Sequence, residues 1–507
     1  MQQNDVDSFN ETKLKKALLN FDRKHIENQK LRIKHAESPT KFAASETELY
    51  ASLDEIQCVA TQPELYAVLA SKNTLDTLLS LISHENTDIS AKVVGILQEL
   101  TDIDESDSQE PSGILIEALV SRNLAQLVVS NLSRLDGVDK DESQAIINSL
   151  AVIDNIIEYN TEFAILGSED LIKWMVDTLN KSSGFNSIKL PIAELLSILL
   201  MSSDDNKLHL SEINGVDALL KQVAYYRRVE PKTGEEHEFL EQIVNCLCTA
   251  VLNCDENRNS FFEEEGVDLV ELILREKREA IKKSNLKLSM LKLFNHVLTT
   301  HKNHDRIVTE CCARFIDILG LRVIFPLFNN PKFLLNDKIK RREYHHFLDE
   351  VEEHTTAILL ALLKNSQNTE HIQRILVKFA ESSFGKLLRL LSLHDKYFMI
   401  VQNNSTAEDE AKLTPSSAYF TLRTIDYTIL LVCYLTSQFE TYDPTSGETF
   451  ANFILKILAQ RPQLRHQLAM ETRRHIDEVA DTREERESLT MLLEHFEGLS
   501  KSAQAKV

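Results

Sequence analysis

An all-α chain built as an armadillo/HEAT-like solenoid, with atypical helical caps at both ends, is the fold the sequence predicts. Three observations carry that expectation. Gly and Pro are scarce, 12 and 10 in 507 residues, too few turn-formers for a fold of many short strands. Apolar residues recur at helical rather than alternating spacing. The pattern also restarts at intervals of 45 to 54 residues, close to the period of two- and three-helix repeats.

The stretch Asn73–Asp102 is the clearest unit. Leu75, Leu78, Leu79 and Ile82 fall at i, i+3, i+4 and i+7, which gathers them on one helical face. After the polar break at 83–88 the face resumes as Ile89, Val93, Ile96, Leu97 and Leu100. Two such helices cannot bury both faces against each other alone, so they need stacked neighbours of the same kind.

Aligning the first apolar residue of each restart gives Leu75, Leu124, Leu171, Val216, Val267 and Leu321. Each is followed by a second apolar helix. The polar segments 102–113, 180–187 and 227–236 are expected as loops outside the stack. Residues 1–62 are helical but off the pattern, with Leu14, Leu18 and Phe21 on one face beside Lys13, Lys15 and Lys16. They form the expected N-terminal cap. Residues 63–401 form the repeat body, the disorder-prone composition of 402–417 marks a linker or loop, and 418–507 form a C-terminal helical cap.

The formal net charge of −22 opposes nonspecific binding to nucleic acid or to an anionic membrane. Basic protein segments are the expected electrostatic partners. Seven cysteines without paired spacing read as reduced core thiols of an internal, soluble protein. The N-terminus lacks a basic start followed by an apolar run, so no secretory signal is expected. Apolar runs such as 190–201 are too short to span a bilayer and include Glu194.

No catalytic constellation emerges. The G-x-S-x-G, Walker and dinucleotide-binding patterns are absent, and His237-Glu238 is followed by Glu241 where a zinc protease needs histidine. Cys246 and Cys248 face apart on a helix. His346, Glu350 and His354 share a face at i, i+4 and i+8, but exposed His–Glu helix pairs are commoner than metal ligands. Trp174 sits at an apolar repeat position beside Leu171 and Met175 and is expected in the core. No catalytic, cofactor or metal site is expected.

The remaining candidates are polar residues on the second helices, which line the groove of an armadillo stack. Aligned by their last apolar pair, these helices place Glu99 and Asn155 at equivalent positions, with Asp154 adjacent and Asp102 and Glu158 one turn further on. His296 fills a similar place later, whereas the third and fourth units offer Ile198 and Ala250, which breaks any continuous Asn ladder. Glu99, Asp102, Asp154, Asn155, Glu158 and His296 are therefore the candidate partner-binding residues. A second acidic surface is Asp204-Asp205 with Glu263, Glu264 and Glu265.

The stretch FIDILGLRVIFPLF at 315–328 resembles the beta-catenin-like protein 1 family. Colinear with it are NQKLRIK at 28–34, SPTKF at 38–42, LQELTDID at 97–104, LILREK at 272–277 and LRTIDYTILLVCY at 422–434. The resemblance implies an armadillo-type solenoid serving as a non-enzymatic, nuclear scaffold in pre-mRNA splicing. Its implied partners are the CDC5-like protein and other members of the Prp19 complex, bound through basic, nuclear-localisation-like segments, with self-association into a homodimer. Better-known members carry a basic N-terminal extension. Here the remaining basic stretches are Lys13–Lys16 and 338–342, so a cytoplasmic adaptor or carrier for basic cargo is the alternative expectation.

Overall fold

The computed structural model describes residues 9–102, 109–165, 168–182, 184–277, 285–299, 305–334, 343–405, 417–478 and 482–504. Among them the chain is helical, with no named strand and one isolated antiparallel bridge between Tyr442 and Thr449. The fold is an all-α, armadillo-type solenoid. The basic stretch at 338–342 and most of the expected linker at 402–417 lie outside the described residues.

The chain divides into two compact units, residues 1–222 with 233–246 and residues 223–232 with 247–507. The first begins with α1 (Glu11–Lys34), α2 (Ala43–Gln57), α3 (Tyr66–Ala70) and α4 (Thr74–Ser80), followed by α5 (Thr87–Thr101). Next come α6 (Gln109–Val120), α7 (Leu124–Leu132), α8 (Lys140–Tyr159), α9 (Ser168–Asn180), α10 (Lys189–Ser202) and α11 (Asp204–Glu212). Helices α12 (Gly215–Tyr226) and α13 (Gly234–Val251) are shared between the two units.

Within the first unit, α2 packs on α5, α5 on α8 and α8 on α10, so the second helices stack side by side. Their buried faces are the apolar sets read from the sequence. Leu75, Leu78, Ile82, Val93, Ile96, Leu97 and Leu100 are all essentially inaccessible. Each such side chain contributes roughly 1.5–3 kcal/mol through loss of apolar surface. Side-chain caps fix the starts of these helices: Asn86 accepts from the Asp88 amide, and Asp139 from the Asp141 amide.

The stack is also held by buried polar contacts between layers. Asn155 on α8 donates to the Thr101 hydroxyl at 3.2 Å and to the Gln98 carbonyl at 3.4 Å, which ties it to the end of α5. Lys189 is 1% exposed, and its ammonium donates to Gln222 Oε1 at 2.9 Å and to the Ser182 carbonyl. Burial lowers this lysine to about 8. Trp174 is half-buried, with its indole N–H donating to the Leu132 carbonyl at 3.1 Å.

The second unit contains α14 (Asp255–Glu263), α15 (Gly266–Arg275), α16 (Leu286–Leu298), α17 (Arg306–Asp317), α18 (Leu321–Asn329) and α19 (Tyr344–Asn365). It ends with α20 (Thr369–Ser405), α21 (Ser417–Gln438), α22 (Phe450–Gln460), α23 (Pro462–Glu478) and α24 (Arg483–Gln504). Helix α20 breaks at Glu381–Phe384, where Ser382, Ser383 and Phe384 take left-handed backbone angles. The break places the Phe384 ring against Phe450 and Phe453, with centroids 5.2 and 4.2 Å away. Glu352 on α19 is buried and accepts from Arg389 and Lys396, each at 2.6 Å, and from the Tyr397 hydroxyl at 3.1 Å. The C-terminal helices thus pack directly onto the repeat helices before them.

The restarts seen in the sequence have a local cause. At Asn214-Gly215, Glu265-Gly266 and Leu319-Gly320 the first residue is left-handed, with φ of 55, 58 and 69°. The glycine that follows opens the next helix and lies against the side chain five residues earlier: Leu210, Phe261 or Phe315. A Cβ at Gly266 would stand 2.6 Å from both the Phe261 carbonyl oxygen and its ring. Backbone cannot yield as a side-chain tip can, so Gly266→Ala is expected to destabilise the protein by roughly 1–3 kcal/mol. A urea denaturation midpoint unchanged from wild type would show that the turn relaxes without cost.

Candidate functional site

The exposed edges of α2, α5 and α8 enclose a groove of about 790 Å³. Its carboxylates are Glu46, Asp88, Glu99 and Asp141, against the single ammonium of Lys92. That ammonium is already engaged. It lies 2.8 Å from Asp54 Oδ1, donates to Gln57 Oε1 at 2.6 Å, and stands 5.7 Å from the centre of the Tyr50 ring. Asp88 and Asp141 sit in the first turns of α5 and α8, where a negative charge also meets the positive end of the helix dipole. Glu46 is paired with Arg32 and accepts from Asn86 at 3.0 Å. Glu99 is exposed and accepts a hydrogen bond from the Gln57 amide.

The sequence candidates divide among five settings. Glu99 opens into this groove. Asp102 caps the C-terminus of α5 and accepts from the Gln98 side chain at 3.4 Å. Asn155 is turned toward α5 as described, so its amide holds two layers together. Asp154 and Glu158 lie further round α8, Asp154 half-buried and Glu158 exposed. His296 belongs to α16 in the second unit, where burial and then Lys292 hold its imidazole below its usual value.

Asp154 reveals two residues that alignment by the last apolar pair missed. Burial and then Glu158 push its carboxyl above the usual range. Glu194 on α10 is raised by burial, then by Glu238 on α13, then by Asp154. Three successive second helices thus place Glu194 in the field of both Asp154 and Glu238. None of the three is ion-paired among the described residues. Glu241, one turn beyond Glu238, is exposed on the same helix. A fixed register along the second helices does not find them: Glu194 lies four residues before Ile198 and Glu238 twelve before Ala250, so only the packing of α8, α10 and α13 brings the carboxylates together.

The other constellations resolve into structural roles. His346 is exposed beside Glu350, 3.6 Å away, whereas His354 is buried and faces Asn295 at 3.3 Å. Burial and then His296 hold His354 down to about 4, so it is neutral at pH 7. Among the described residues no group of three or more His, Cys, Asp or Glu could hold a metal ion. Cys246, Cys248, Cys254, Cys311, Cys312 and Cys433 are buried and unpaired as disulfides, whereas Cys58, expected among the core thiols, is exposed where it caps the end of α2. Burial pushes Cys248, Cys311 and Cys433 up to about 12, which makes them unreactive core thiols. Asp204 and Asp205 open α11 in the first unit, whereas Glu263–Glu265 close α14 and precede α15 in the second. Among the described residues no single helix is long and apolar enough to cross a membrane.

A family model described as "Catenin-beta-like, Arm-motif containing nuclear" matches residues 1–441. Beta-catenin-like protein 1 of Homo sapiens is 38% identical over 397 residues, covering 78% of this chain and 67% of its own length. The Mus musculus protein of the same name is 37% identical over the same span. A beta-catenin-like protein 1 homolog from Schizosaccharomyces pombe is 28% identical over 393 residues, covering 77% of this chain and 64% of its own length. With its stacked second helices, αL–Gly turns and match across most of its length, the chain belongs to the catenin-beta-like family of Arm-motif proteins.

Proposed function

We propose that this protein is a non-enzymatic scaffold whose first unit binds Lys/Arg-rich segments of other proteins, and that it does so in the nucleus as part of the pre-mRNA splicing machinery. The observation that carries the binding reading is the run of carboxylates along α5, α8, α10 and α13. Glu99 faces a groove whose only ammonium is already bound by Asp54 and Gln57. Asp154 and Glu194 are half-buried and raised chiefly by burial, Asp154 then by Glu158 and Glu194 then by Glu238 and Asp154. Like charges held this close repel, and an arriving cation relieves that repulsion as it forms its own ion pairs. A small-molecule reaction has no comparable support, since the described residues offer no metal cluster.

The splicing context and the Prp19/CDC5-like partners rest on the family resemblance, and the nuclear setting is in keeping with the family description. Affinity purification of the intact chain from nuclear extract, with mass spectrometry of what is retained, tests this reading. Recovery of splicing factors that is lost in high salt is the expected result. Retention of basic cargo from cytosol alone, with no splicing factor from nuclei, would favour an adaptor instead.

A further inference from the structure

Helix α1 buries Leu14, Ala17, Leu18, Phe21 and Asn28 against its neighbours, with Asn28 donating to the Ser45 hydroxyl at 2.9 Å. Its opposite face is not the polar surface that a solvated helix face carries. Leu19, Ile26 and Ile33 are 71, 49 and 84% exposed, and they recur every seven residues. A seven-residue repeat on a helix makes a nearly straight stripe, here roughly 21 Å long at about 1.5 Å per residue. Lys16, Arg23 and Lys30 recur at the same interval, three residues before each apolar side chain, and are exposed without an ion pair among the described residues. Three further cations of α1 are used inward or along the helix: Lys24 pairs with Glu48, Arg32 with Glu46 and Glu85, and Lys15 with Glu11.

We propose that this outer face of α1 is a docking ridge for an acidic amphipathic helix of another protein. Its apolar stripe matches a partner carrying Leu or Ile at seven-residue spacing, and its basic row matches Glu or Asp flanking that stripe. Charge selects the partner class. The ridge is a local positive row on a chain of net charge −22. At physiological salt a narrow acidic helix lying on it feels mainly the charges within about 8 Å. A broad anionic bilayer would instead meet the negative charge of the surrounding surface. A second copy of α1 would set Lys16, Arg23 and Lys30 against the same basic row, which costs affinity through like-charge contacts. This surface is separate from the carboxylates proposed to bind basic segments, so either proposal can fail without the other.

The test uses the full chain and a synthetic amphipathic helix with leucine at every seventh position, flanked either by glutamate or by lysine. Fluorescence anisotropy is expected to show binding of the glutamate form and at least tenfold weaker binding of the lysine form. Leu19→Ser/Ile26→Ser/Ile33→Ser and Lys16→Glu/Arg23→Glu/Lys30→Glu are each expected to weaken the glutamate form at least tenfold. All these positions are exposed, and unchanged circular dichroism checks that the fold persists. Equal binding of both peptides, or affinity indifferent to both triple variants, would overturn the proposal. So would tighter binding to phosphatidylserine vesicles than to the acidic helix, or a dimer in sedimentation that the apolar triple variant abolishes.

Discussion

Glu194→Lys combined with Glu238→Lys is expected to weaken binding of a Lys/Arg-rich peptide by roughly tenfold to a hundredfold at low salt. The estimate follows from reversing two contacts whose individual worth is roughly 0.2–1 kcal/mol when exposed and more when partly desolvated. Adding Asp154→Asn should deepen the loss, because Asp154 contributes to the field at Glu194. The effect should shrink as salt is raised. Its pH dependence has a definite sign. Asp154 and Glu194 are both raised above ordinary carboxylate values, chiefly by burial. A cation binds their ionised forms, so affinity is fully present well above that range and is lost as pH falls through it. The same shifts mean that their ionised forms disfavour the fold at neutral pH. Glu194→Gln should therefore raise thermal stability slightly while lowering peptide affinity, an opposition that a merely solvated glutamate would not produce. Peptide titrations by anisotropy, with melting curves on the same samples, decide it. Affinity unchanged in the double lysine variant would remove these carboxylates from the binding surface.

The repeats were legible because burial acts on periodicity. Every apolar residue used to define the stretch 73–102 is buried, and the restarts at Val216, Val267 and Leu321 follow glycines that make room for the side chain five residues earlier. Polar positions were less legible, since their roles depend on which neighbour a helix edge faces. Asn155 and Asp154 are adjacent in sequence, yet the helical twist of about 100° per residue turns one toward α5 and leaves the other beside Glu158 and Glu194. Periodicity along one helix cannot show which side of it the next layer occupies. For the same reason His346 and His354, eight residues apart on α19, separate into an exposed ring and a buried neutral one.

Structural roles and the proposed binding roles therefore fall on different polar residues of the same layers. Asn155, Lys189 and Gln222 spend their hydrogen bonds inside the stack, which fixes the spacing of α5, α8, α10 and α12. Glu99, Glu194 and Glu238 are left facing outward by that spacing. Changes at the first group should alter stability and binding together, whereas changes at the second should separate them.

In the second unit the largest loss of stability is expected from the buried pair His394 and Asp426. His394 is fully inaccessible and Asp426 is 4% exposed, with Nδ1 and Oδ1 2.6 Å apart. His475, Glu471 and Asp395 also act on the pair, and Glu485 with Arg423 lies next to His475. Burial would lower the His394 imidazolium, but Asp426 overrides it and raises the group above its usual value. Burial raises Asp426 in turn, against the pull of His394. The folded pair thus holds protons that the unfolded chain releases. The His394 contribution is fully present below the unfolded value of about 6.5 and is lost as pH rises through its raised folded value. Asp426→Leu alone should cost about 3–5 kcal/mol, because it strands His394 in the interior. His394→Leu with Asp426→Leu removes both polar groups and should cost well under the sum of the single replacements. Urea denaturation of the four proteins in a double-mutant cycle measures the coupling. Additive losses would mean that the two side chains stabilise the helices independently, as space-filling groups, and that the proton between them contributes nothing.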